Sequence, residues 1–380
     1  MKILYFYPEN PLSFSQGNNS RALSLLNYFK DRSIHLDFVG EQSNDFTEDS
    51  IQELKKENLI RNGYLLKKEK KSSSIIRYYL DYSFPKKINS RFKDFDRTKF
   101  GYGNQFLKII NAGDYDVVII SYVYWSSLLN IGLKVEKTKW IVDTHDFLTS
   151  QFQDNKKFAL DKYFKKEIDL MKKFDQVWVI SYEEKYLFSQ FLKTPVHLVT
   201  HSLPKPETLL NAEKTIDIIY VASDNFHNIK SAVWFFKEVY PLLSKGIRIT
   251  VVGKINKHIP KLHNVENLHF VKDLDEIYKK SRIAICPMLS GTGLKIKVIE
   301  SLSHGLPVVC TERGVDGLVN KTNNGCLASN DSSVFAAYIE KLLHEPDYYG
   351  KNHLEAKSFF ENNFDTKRTY EVLDAIFLWQ

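Results

Sequence analysis

Two lysines and a glutamate follow a glycine turn in the stretch Ser290-Gly291-Thr292-Gly293-Leu294-Lys295-Ile296-Lys297-Val298-Ile299-Glu300. Glycine adopts backbone angles that other residues resist, so such a turn can bring bare N–H groups up to a ligand. Lys295 and Lys297 add positive charge, and Glu300 lies one helical turn beyond Lys297. The chemistry this set could perform is the binding of an anion, a phosphate above all. A βα loop with two solvated lysines and a surface glutamate would use the same residues, and a lone Gly-x-Gly does not separate the two readings. A second set is Asp143-Thr144-His145-Asp146, in which His145 is either a hydrogen-bonded loop histidine or a ligand contact. A third is Gly17-Asn18-Asn19, where the glycine either serves a turn or opens the backbone to a ligand.

The elements that must hold these residues are strands and helices in alternation. Ile283–Cys286 reads as a buried strand, Lys295–Ser303 as a helix with Ile296, Ile299 and Leu302 on one face, and Leu306–Cys310 as the next strand. Gly305 stands at the helix end, where glycine commonly takes the left-handed position. In a parallel sheet this order places the glycine turn at the carboxyl edge, with the free N–H groups of a helix N-terminus beside it. The first half opens in the same way. Strand 2–7, a loop to Asn19, a helix from Ser20 to Phe29 with Ser20 as its cap and strand 34–39 form a β-loop-α-β unit. Strands at 115–122 and 140–142 follow, the latter running into the His145 turn. A polar loop at 222–228, a helix at 231–239 and strands at 247–252 and 268–271 belong to the second half. Residues 41–63 are helical in tendency, and Pro204-Lys205-Pro206 reads as a stiff connector between two domains. The fold class expected is α/β, doubly wound in both halves.

Lys297-x-x-Glu300, Gly305-x-Pro307-Val308-Val309, Thr311, Gly314 and Gly317-Leu318 together resemble the nucleotide-sugar site of family 4 (group 1) glycosyltransferases with the GT-B fold. The resemblance is strong from about Asp217 to Leu343 and weak from Met1 to Leu203. It implies two facing Rossmann-like domains with a cleft between them. Residues 1–204 would bind the acceptor, residues 205–360 the nucleotide sugar, and a last helix within 361–380 would cross back onto the first domain. It implies that the glutamate at the Glu300 position holds the nucleotide ribose. Lys297, Lys295 and the N–H groups of Gly291, Thr292 and Gly293 would hold the diphosphate. Ser223 and Asn228 fall in the phosphate loop of the donor domain. Phe270 and Val271 fall where the backbone meets the nucleotide base. His145 matches a histidine that contacts the donor sugar, and the Gly17 loop would face the donor diphosphate and the acceptor. His145, Lys297 and Glu300 are the candidates for catalysis.

The activity so implied is a metal-independent transfer that retains anomeric configuration, with a nucleotide-diphosphate sugar as co-substrate and neither cofactor nor metal. The acceptor would be a glycan or lipid-linked glycan of bacterial surface polysaccharide. Two departures bear on the donor. The phosphate loop lacks the arginine and lysine common in the family, offering Ser223, Asn228 and only a later Lys230. Thr292 stands where the first of two paired glutamates is usual, which leaves the sugar open. A nucleotide-sugar-binding protein without turnover and a sugar-nucleotide epimerase are the alternatives. A dinucleotide oxidoreductase fits least, because residues 8–17 lack Gly-x-Gly-x-x-Gly.

With 380 residues and 43% hydrophobic content the chain is long enough for two well-filled domains. Three cysteines show no metal spacing, and Cys286 and Cys310 sit in apolar strands, which fits buried thiols in a reducing cytoplasm. No signal or membrane-spanning segment is legible. The net charge of +7 is uneven, for residues 51–100 carry 14 Lys or Arg against 6 Asp or Glu. Within 64–100 the bases are interleaved with aromatics. Contact with an anionic membrane from its cytoplasmic side is favoured there over a merely solvated face. Nucleic acid is disfavoured because no binding motif accompanies the patch.

Overall fold

Runs of apolar and β-branched residues build two parallel sheets in the computed structural model. It describes residues 1–13, 17–130, 137–153, 155–206, 213–271, 273–291 and 293–377. The chain divides into two units, Met1–Val199 and Thr200–Gln380. Unit 1 holds β1 (Lys2–Phe6), β2 (His35–Glu41), β3 (Asn62–Leu66), β4 (Val117–Ser121), β5 (Lys139–Asp143), β6 (Gln176–Val179) and β7 (Val196–Leu198). Their order across the sheet is β3-β2-β1-β4-β5-β6-β7, every pair parallel. Unit 2 holds β8 (Ile216–Val221), β9 (Ile249–Val252), β10 (Val265–Leu268), β11 (Ser281–Cys286), β12 (Val308–Cys310) and β13 (Cys326–Ala328). They lie in the order β10-β9-β8-β11-β12-β13, again all parallel.

Each sheet reverses its winding once, between β1 and β4 in unit 1 and between β8 and β11 in unit 2. The loops leaving the carboxyl ends diverge there and leave a crevice, which is where doubly wound sheets take ligands. The central strands read Val117-Val-Ile-Ile-Ser121 and Ile216-Asp-Ile-Ile-Tyr-Val221 because helices cover both faces and leave little room for polar side chains. In unit 2, Phe235, Phe335 and Ile339 pack under β8, β9 and β11. The three cysteines are free and buried.

Several boundaries differ from the sequence expectations. The first helix is Gly17–Asp31, so Ser20 lies inside it and is not its cap. Asn19, in the first turn of this helix, accepts from the Tyr7 hydroxyl at 2.6 Å. The stretch 41–63 holds one helix, Glu48–Lys56, and then enters β3, an edge strand. The strand expected at 268–271 is Val265–Leu268, so Phe270 and Val271 lie beyond its carboxyl end. The helix after β8 starts at Phe226, five residues earlier than expected, because Asn225 caps it by accepting from the Asn228 N–H at 2.9 Å. An 18-residue helix, Pro346–Asn363, precedes the last one, Thr366–Phe377.

Candidate active site

In unit 2 the loops after β8 and β11 meet at the switch point. Asn228, in the first turn of helix Phe226–Trp234, donates from Nδ2 to the Ser223 hydroxyl at 3.1 Å. Its Oδ1 accepts from Lys297 Nζ at 2.9 Å. Ser223 and Asn228 from one loop and Lys297 from another, all three implied by the family resemblance, are therefore one hydrogen-bonded chain. Lys297 is the second residue of helix Ile296–Ser303. The residue before that helix, Lys295, gives it no side-chain cap, and its carbonyl accepts from the Val298 N–H at 2.9 Å. Lys295 Nζ turns back to the Gly293 carbonyl at 2.7 Å. Burial lowers the pKa of both lysines.

The glycine turn is held by its neighbours. Gly291 and Gly293 have φ of 93° and 77°, a region that side chains with a Cβ avoid. His227 Nδ1 lies 2.8 Å from the Ser290 hydroxyl and so ties the turn to helix Phe226–Trp234. The buried Thr311 hydroxyl donates to the Met288 carbonyl at the start of the same loop. Thr292 lies outside the described residues.

Glu300 faces a different neighbour from Lys297. Its Oε2 accepts from the Tyr278 hydroxyl at 3.3 Å, and burial pushes its carboxyl up to about 7. Tyr278 comes from helix Leu274–Lys280, which also stacks that ring on His304 at 4.9 Å. Phe270, just before that helix, is 83% exposed, the largest value among the exposed apolar side chains.

Unit 1 places His145 at its own switch point. The His145 Nε2 is 3.0 Å from Asp143 Oδ2 and 3.2 Å from the Ser121 hydroxyl, and the ring stacks on Tyr122 at 4.2 Å. His145 and Tyr122 both sit at positive φ, 61° and 66°, an uncommon backbone for such residues. Asp143 also takes a two-pronged pair from Arg21, at 3.0 and 2.6 Å. Burial alone would raise the Asp143 carboxyl, but Arg21 and His145 hold it well below the usual range. With Asp143 ionised, the proton of a neutral His145 belongs on Nε2. That leaves Nδ1 as an acceptor, and it is buried with no hydrogen-bond partner among the described residues. Glu167 fixes the following chain by accepting from the Leu148 and Thr149 N–H groups at 2.9 and 2.8 Å. Gly17 begins the helix that carries Asn19 and Arg21 into this site.

Residues 215–345 match the family model described as glycosyl transferases group 1. The matched residues all lie within unit 2. Across the whole chain the fold is that of solved GT-B glycosyltransferases. HepE from Anabaena, solved with UDP and glucose, superposes with a TM-score of 0.70 at 12% identity, covering 100% of each chain. Sucrose-phosphate synthase from Thermosynechococcus elongatus gives 0.71 at 14% identity, covering 100% of this chain and 98% of that one. TarM gives 0.68 at 10% identity over 99% and 98%. Among curated proteins, the "Uncharacterized 44.6 kDa protein in cps region" of Klebsiella pneumoniae is 24% identical over 229 residues. That match covers 56% of this chain and 58% of the relative's own length.

In unit 2 the sequence reading missed Tyr278 and the Asn225 cap, and in unit 1 it missed Arg21. Tyr278 carries no local signal, since only the fold brings its helix to Glu300. Arg21 had one: a lone arginine amid the otherwise uncharged helix stretch from Gly17 to Phe29, two residues beyond the Gly17-Asn18-Asn19 set. Asn225, three residues before Asn228, has the Asx spacing of a helix N-cap.

Proposed function

We propose that the protein moves a sugar from a nucleotide-diphosphate sugar to a glycan or lipid-linked glycan in surface-polysaccharide synthesis, retaining anomeric configuration and using no metal ion. The observation that carries this reading is the Ser223–Asn228–Lys297 chain, set at the carboxyl edge of the sheet in unit 2 beside an uncapped helix N-terminus. Lys297 spends its hydrogen bond on a neutral amide, so its charge is left for an anionic ligand. The cps-region relative favours the polysaccharide setting, and the UDP complexes of HepE make a UDP-sugar the first donor to try.

When the sugar–diphosphate bond breaks, negative charge builds on the leaving phosphate. Fixed donors aimed at that charge lower the barrier without reorganising. Lys297, Lys295 and the N–H groups of Gly291, Gly293 and the helix start fill that role here, with Gly17 as a further backbone donor. Glu300 accepts from the ribose hydroxyls. The backbone of Phe270 and Val271 meets the base, and Ser223 and Asn228 line the phosphate loop. His145 accepts a sugar hydroxyl at Nδ1. Retention with no assigned enzyme nucleophile has the acceptor hydroxyl attack on the face the phosphate leaves. The basic stretch 64–100 is the part of unit 1 suited to an anionic membrane on its cytoplasmic face, where a lipid-linked acceptor would lie.

The test is nucleotide release from a panel of UDP-, GDP-, dTDP- and CMP-sugars with surface-glycan acceptors, run in excess chelator. Acceptor-dependent release from one donor is expected. Saturable donor binding with no release under any acceptor would reduce the protein to a donor-binding one.

A further inference from the structure

Amphipathic helices of soluble domains turn their apolar side chains inward. One helical run in unit 1 does the reverse. From Ile75 to Ile88 the backbone is continuously right-handed: Ile75–Arg77, wider turns at Tyr78–Ser83, then Phe84–Ile88. Its inner face is polar and aromatic. Arg77 pairs with Glu69 at 3.2 Å, Tyr78 and Tyr82 lie edge-on or tilted against Phe100, and Lys86 Nζ donates to the Asp96 carbonyl at 3.3 Å. Its outer face is Ile76, Leu80, Phe84 and Ile88, four residues apart and so in one line, with Ile75 beside them. These five are 58–74% exposed. A row of exposed branched and aromatic side chains on one helix marks a surface that meets something apolar.

The charge around the row selects what that is. Lys70, Lys71, Lys87, Arg91 and Lys93 are all exposed at its ends and flank. Over residues 70–93 there are seven Lys or Arg and a single acid, Asp81. A second copy of the chain meeting this face about a two-fold axis would set that basic rim against itself. An anionic bilayer complements both parts, with headgroups for the rim and acyl chains for the row. Among the described residues no helix is long and apolar enough to cross a membrane, so the run lies along a surface.

We propose that the Ile75–Ile88 helix is an in-plane membrane anchor. It seats Ile76, Leu80, Phe84 and Ile88 at the headgroup–acyl boundary of an anionic bilayer, with the surrounding lysines and Arg91 over the headgroups. The proposal deepens the membrane contact of the transferase reading, and rests on that reading only for why the anchor is useful. The binding needs no nucleotide sugar.

The experiment is sedimentation of the full chain with phosphatidylcholine vesicles, with and without one third phosphatidylglycerol. The wild type pellets with the mixed vesicles and stays in solution with the neutral ones. The triple variant Ile76→Gln, Leu80→Gln, Phe84→Gln keeps the net charge and the far-ultraviolet dichroism, yet binds at least about tenfold more weakly. Because the native cysteines are buried, an environment-sensitive thiol probe can be placed on Leu80→Cys alone. Its emission shifts to the blue on the mixed vesicles. A wild type that ignores both vesicles, a triple variant that binds as well as wild type, or a probe that stays in water on binding would each overturn the anchor. So would a dimer in solution that the triple variant splits. Turnover of a soluble acceptor by a chain that ignores vesicles would remove the anchor and leave the transferase. Vesicle binding without any turnover would do the opposite.

Discussion

At the switch point of unit 1 a buried arginine meets a buried aspartate. At that of unit 2 a half-buried lysine meets an amide. The strand plan is the same at both, β1 beside β4 and β8 beside β11, and the sequence between them decides what each can hold. In unit 1 the charges of Arg21 and Asp143 cancel, and what remains for a ligand is the Nδ1 atom of His145 among stacked tyrosines. In unit 2 Lys297 donates to the Asn228 amide beside a helix N-terminus. The one edge suits hydroxyls and the other phosphates. A doubly wound sheet thus supplies a place, and the side chains supply the chemistry.

The comparison predicts opposite failures. Arg21→Ala strands the ionised Asp143 in the core and should destabilise unit 1 by about 3–5 kcal/mol, read as a lower urea midpoint. Replacing the pair together, Arg21→Met with Asp143→Leu, should recover most of that loss. Lys297→Met should leave the urea midpoint near wild type and cut turnover by about 10²–10³. If Lys297→Met unfolds the chain while Arg21→Ala is benign, the assignment of structure to one edge and function to the other is reversed. Gly293→Ala forces a side chain onto a φ of 77° and should weaken nucleotide binding by about 1–2 kcal/mol, seen by calorimetry.

The smallest effect expected is on pH. A carboxyl raised to about 7 is neutral below that value, and only its ionised form is the strong acceptor a ribose needs. Nucleotide affinity should therefore rise between pH 6 and pH 8, and Glu300→Gln should flatten the rise. The Tyr278 hydroxyl lowers the Glu300 carboxyl from where burial alone would put it. Tyr278→Phe should accordingly move the midpoint of the rise to higher pH.

Much of this was legible before any coordinates. The central strands are apolar runs with clear ends, and the glycine turn, Lys297 and Glu300 stand out through the family resemblance. The edge strand β3 does not, because it opens with Asn62-Gly63, two residues that do not favour strands. Helix Pro346–Asn363 buries Asn352, Ala356, Phe359 and Phe360 on a narrow stripe, too thin to read as amphipathic. At the sites, resemblance supplied Ser223, Asn228 and Lys297 singly, and only the fold joined them. Tyr278 and Arg21 act on residues 22 and 122 positions away, distances over which sequence spacing carries no information.

The most direct measurement is a calorimetric titration of the full chain with UDP, GDP, dTDP and CMP, beside the same titration of Lys297→Met. One nucleotide should saturate a single site in the wild type, and its affinity should fall at least about tenfold in the variant. Equal affinity in both proteins, or no binding of any nucleotide by the wild type, would contradict the account.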